Sequence, residues 1–109
     1  MFVKSLTVLA ATLALTVPSL AQSSMDSAMQ ENKAAMERMM KAMDDVKDMD
    51  PDVAFAKKMK AHHQGAIDMS NVELKYGNDS AAKAEARDTK EENEKSIKKL
   101  DTWLAKHAK

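Results

Sequence analysis

The sequence predicts an all-α fold, an antiparallel up-down helical bundle of three long helices, on three observations. First, only two glycines and two prolines occur in 109 residues, amid abundant alanine, lysine, glutamate and ten methionines. That composition favours helix almost throughout. Second, no stretch alternates apolar and polar residues with period two, as a half-buried strand would. Third, breaker and capping residues at 48–51 and 77–80 divide the chain past the N-terminal run into long segments joined by short loops, which makes neighbouring helices antiparallel. The count becomes four if the first helix is split or if two chains pair.

The elements follow in chain order. Lys4 and the initiating amine precede an apolar run at residues 6–17, and Ser19-Leu20-Ala21 offers small residues at a cleavage position. Residues 1–21 therefore read as a secretory signal peptide; the run is too short for a membrane span. Without a cysteine at the cleavage site there is no lipid anchor. The mature chain, residues 22–109, is expected to be one soluble domain in the periplasm or the medium.

The first helix is expected at residues 27–47. Asp50 is an N-cap with Pro51 at the first helical position, so a second helix starts there. It runs to about Tyr76, where Gly77 fits a left-handed C-cap. Asn78, Asp79 and Ser80 cap a third helix reaching about Lys106.

Composition excludes several function classes. Seventeen basic residues balance seventeen acidic ones, which gives no reason to expect nucleic acid or an anionic membrane surface as partner, and with the apolar run too short to span no stable membrane insertion is expected. Cysteine is absent, so there is neither a disulfide nor a thiolate-based zinc site. A domain this short is marginal on its core alone, and the third helix's apolar stripe is broken by Thr89, Lys90 and Asn93. A homodimer, or a metal tying helices together, would add what is missing.

The chemistry lies in the sulfur and imidazole groups. At about 100° per residue, Met25, Met29, Met36, Met40 and Met43 share one stripe of the first helix, with Met39 at its edge. No Leu, Ile or Phe joins them. Methionine is a common core filler, but an ordinary core mixes in leucine for its better-defined packing. On the second helix Phe55, Met59, Ala66 and Met69 mark the expected buried half, and His62 and His63 project into it on either side of Met59. Thioether and imidazole together suit monovalent copper. Adjacent histidines point about 100° apart, so each is expected to face a different helix and meet methionines there. Met69 lies roughly 10 Å along the axis from His62, which calls for more than one metal position. The candidate ligands are Met59, His62, His63 and Met69, completed by Met36, Met39, Met40 and Met43.

Residues 52–55 (DVAF), the segment MKAHHQGAIDM at 59–69 and VELKYGND at 72–79 together resemble the CopM-like family of exported bacterial helical domains, long catalogued as a domain of unknown function. That family shows an MIPHHQGAIDMA-type core and a later Met-x-x-Trp-Leu pattern. The resemblance spans about residues 52–104. It implies a ferritin-like bundle that binds copper and serves copper tolerance or delivery, with Met59, His62, His63 and Met69 as ligands. Lys60 and Ala61 stand where the family has Ile-Pro. Asn93, Ser96 and Leu100 replace its Gln, Glu and Met, so a thioether beside Trp103 is missing here. Trp103 and Leu104 match and read as core anchors; His107 reads as a solvated end residue.

Catalytic signatures are lacking. No Glu-x-x-His pair, His-Glu-x-x-His segment, nucleophile motif or glycine-rich phosphate loop occurs. The expected function is an exported protein, not an enzyme, that sequesters or carries copper. Copper(I) is favoured, copper(II) and silver(I) are alternatives, and another copper protein would be donor or acceptor. The competing expectation is an exported helical adaptor whose methionine stripe grips a partner helix.

Overall fold

Ser19, Asp50 and Asp79 each accept a hydrogen bond from a first-turn backbone N–H, and a helix follows each cap. The computed structural model describes residues 19–108. It contains α1 (Leu20–Asp44), α2 (Pro51–Tyr76) and α3 (Ser80–His107). The chain is thus an all-helical up-down bundle. The leader expected at residues 1–21 lies outside the described residues except for 19–21, which cap and begin α1.

Two boundaries differ from expectation. α1 starts at Leu20 rather than 27, because the Ser19 hydroxyl takes the Gln22 N–H at 3.2 Å and no breaker follows. It ends at Asp44 rather than 47, where the Asp45 N–H closes on the Lys41 carbonyl and the Lys41 ammonium holds the Asp45 carboxylate at 2.7 Å. The cap at Gly77 also differs. Its backbone is extended, φ −67° and ψ 152°, not left-handed. Glycine is suited there by space: a Cβ would lie 2.6 Å from Glu73 Cδ. Asp50 with Pro51 and Asp79 with Ser80 start α2 and α3 as expected.

α2 is the middle element. Gly65 and Asp68 face α1, against Met39 and Arg38, whereas Lys60 and His63 face α3, against Asp101 and Asn93. At about 100° per residue those two directions are nearly opposite, so α1 and α3 flank α2. Among the described residues, no Cα of α1 lies within 8 Å of one in α3, and the two helices meet only across a groove that Leu104 shares with Arg38, Met39 and Ala42. The bundle is consequently an open layer one helix thick. Gly65 permits the α1–α2 approach, since a Cβ there would sit 2.9 Å from Met39 Cγ.

A single layer has a thin core. Its buried apolar residues are Ala35, Val53, Ala56, Ile67, Val72 and Ala86, none larger than isoleucine. The expected buried half of α2 is corrected by the structure. Phe55 is 62% exposed and Met69 37%, and Met25, Met29, Met36 and Met40 are each more than half exposed. These side chains point about 90° away from both neighbours' directions, to one open face. Trp103 and Leu104 are half-buried anchors at the end of α3.

Ion pairs tie the helices at the surface, Arg38–Asp68 at 3.4 Å and Lys60–Asp101 at 2.6 Å, and Lys57–Asp48 at 2.9 Å ties the α1–α2 loop to α2. Exposed pairs of this kind contribute up to about 1 kcal/mol each. Glu31 is the busiest acceptor, taking the Lys75 ammonium at 2.8 Å and the Tyr76 hydroxyl at 2.6 Å. The Lys75 bond first, then the Tyr76 bond, holds its carboxyl below the usual range, and Lys75 is pushed up to about 12, chiefly by Glu31. A carboxylate with a depressed pKa stabilises the fold above the unfolded-state value near 4.5, and that contribution disappears as pH falls through the folded value. Glu31→Gln is expected to lower the melting temperature at neutral pH and to match wild type in acid. A deficit that stays constant across pH would show that the carboxylate's charge is not what matters.

Candidate metal centre

The sequence-derived ligands divide among three surroundings. His63, half-buried, projects toward α3, where its Nδ1 lies 2.5 Å from Asn93 Oδ1. Asn93 Nδ2 donates to the Thr89 carbonyl at 2.7 Å, which orients the amide and leaves Oδ1 to accept. Nδ1 of His63 is therefore the donor to Oδ1, and Nε2 points away from Asn93. An oxygen behind one ring nitrogen is the usual way of aiming the other at a metal. The expectation that His63 would meet methionines from its neighbour is not met, since α3 contains none.

His62 lies on the open face and is exposed. The two rings are edge-on, 6.1 Å apart between centroids and inclined at 74°. Met59, one turn before His62, is half-buried on the same side of α2.

The methionines of α1 are also split. Met39 is a packing residue, turned toward Gly65 at the α1–α2 crossing. Met43 is half-buried. Met36 and Met40 line an exposed groove along α1 with Met29. Met36 also borders a second groove, where Met25 from α1 and Met69 from α2 join it beside Val72 and Tyr76. Thioethers from two helices thus line one groove. It measures about 910 Å³, far more than one ion fills, so any ligating sulfur must swing inward. Methionine's three rotatable side-chain bonds permit that.

Met25 and Asn93 adjoin these side chains and were not among the sequence-derived ligands. Met25 stood on the stripe, but its shared groove with Met69 depends on the helix pairing. In the sequence Asn93 read as an interruption of an apolar stripe and as a replacement for the family's Gln, with no sign that it meets His63. His107 is exposed as expected, but its ring stacks on Trp103 at 4.1 Å and 8°, and Nδ1 lies 2.8 Å from the Trp103 carbonyl oxygen.

Among the described residues, no three histidine or carboxylate side chains gather as a hard-cation site would require. What the open face presents instead is thioether sulfur and the His62 imidazole, donor types that suit a soft monovalent cation. A family model described as a domain of unknown function, DUF305, matches residues 6–104. Among curated proteins, none matches the chain.

Proposed function

The chain belongs to the DUF305 domain family, and from the side chains it displays we propose that it is an exported copper-binding protein of the CopM-like kind. It takes copper(I) on methionine sulfur and histidine nitrogen and buffers it or passes it to another copper protein. Copper is its cargo; the protein is a carrier, not an enzyme.

The observation that carries this reading is the exposure of the methionines. A core-filling methionine should be covered, yet Met25, Met29, Met36 and Met40 lie more than half exposed along one helix. Solubility alone would favour lysine or glutamate at such positions. Sulfur that solvent can reach is sulfur that a metal can reach. Imidazoles at His62 and His63 add stronger donors one turn from Met59, and Asn93 orients one of them.

The adaptor reading retains one supporting observation, the groove along α1, which a helix of another protein would fit. Metal titration separates the two. Copper(I) titrated against a chromophoric chelator should show tight binding, with silver(I) competing and zinc not. Replacing His62 and His63 together by alanine is expected to remove the tightest site, weakening copper(I) binding by at least about tenfold, the equivalent of losing roughly 1.4 kcal/mol. Unchanged affinity in the double variant would take the histidines out of the site.

A further inference from the structure

The open face has a second chemistry besides ligation. Cysteine is absent, so thioethers are the chain's readily oxidised sulfur. Oxidation to the sulfoxide makes methionine polar, and a core built on methionine is disrupted when that happens. This core is built otherwise: its buried apolar residues are alanine, valine and isoleucine, with no methionine among them. The sulfurs are instead graded by exposure. Met49, in the loop between α1 and α2, is 96% exposed, and Met25, Met29, Met36 and Met40 on α1 are each more than half exposed. Met39, which packs at the α1–α2 crossing, is half-buried and faces Gly65. An oxidant in solution therefore meets the displayed sulfurs before the one that packs between helices.

We infer that the open methionine face is a site of reversible oxidation, where a peroxide converts Met25, Met29, Met36 and Met40 to sulfoxides with the fold intact, and that this switches copper(I) binding off. A sulfur lone pair attacks one peroxide oxygen. The S–O bond forms as the O–O bond breaks, and sulfur gives up two electrons. The departing hydroxide takes the proton left on the transferred oxygen and becomes water. A sulfoxide reductase with a dithiol reverses the change: the thioether returns, the dithiol becomes a disulfide, and the oxygen leaves as water. Met25 and Met36 are also the sulfurs that share a groove with Met69. A sulfoxide offers a hard oxygen where soft sulfur stood, so copper(I) loses its donors there. The switch rests on the copper reading above, whereas the oxidation itself does not.

The metal-free protein is treated with hydrogen peroxide. Peptide mass mapping locates the sulfoxides, while circular dichroism and melting curves follow the fold. Met25, Met29, Met36, Met40 and Met49 should be oxidised well before Met39, with helix content and cooperative melting retained at that stage. Chelator competition on this oxidised protein should show copper(I) bound at least about tenfold more weakly. The two epimer-specific sulfoxide reductases with dithiothreitol should restore both the mass and the affinity. Oxidation of Met39 in step with the exposed methionines, or loss of helix as the first sulfoxides form, would overturn the site. Undiminished copper(I) binding after oxidation would overturn the switch. A protein that takes up no copper(I) before oxidation would refute the copper reading, and the switch with it, whereas the order of oxidation, read without metal, decides the modification site by itself.

Discussion

Changing Met25, Met36 and Met69 together to leucine is expected to leave helix content unchanged and to eliminate copper(I) uptake in the groove between α1 and α2. Leucine nearly matches methionine in volume, so exchanges cost under about 1.5 kcal/mol even where the side chain is packed. Met25 and Met36 are more than half exposed, so for them the cost should be smaller still. Sulfur, by contrast, is removed completely. Circular dichroism and a melting curve report the fold, and chelator competition reports the metal. Met39→Leu is the internal control: that side chain packs on Gly65, so its replacement should alter stability slightly and copper not at all. Full copper(I) stoichiometry in the triple variant would show that the methionines are there for contact alone.

The second large effect is on stability. Ile67→Ala should abolish the cooperative melting of the protein. Ile67 is the largest side chain among the buried apolar residues, on the side of α2 that faces α3. Truncating a buried isoleucine costs roughly 2–5 kcal/mol. A domain with so thin a core commands only about 3–5 kcal/mol in all. The loss is thus comparable to the total. A variant that still melts cooperatively within a few degrees of wild type would mean that α3 is held by its ion pairs and not by this contact.

Legibility varied with the range of the interaction. Asp50-Pro51 and Asp79-Ser80 were readable as helix starts because capping is decided within one turn. The methionine stripe of α1 was readable because helix geometry fixes which residues share a face. The start of α1 was missed because Ser19 was assigned to the leader, although its cap to Gln22 is as local as the others. At Gly77, composition indicated a stop but not its form, which is extended and not left-handed.

By itself the sequence determined the number, type and order of the helices, and the residues that each would align. These depend on backbone propensity, on caps and on about 100° of rotation per residue, all of which act between near neighbours. Only the tertiary structure decided which aligned stripe is covered. Gly65 lets α1 approach on one side of α2, while Asn93 and Asp101 meet α3 on the other. With its flanks taken, the methionine and histidine face remains open. A hydrophobic pattern states that a face is suited to burial, but burial is a relation between two surfaces, and the second surface is not written in the spacing of the first.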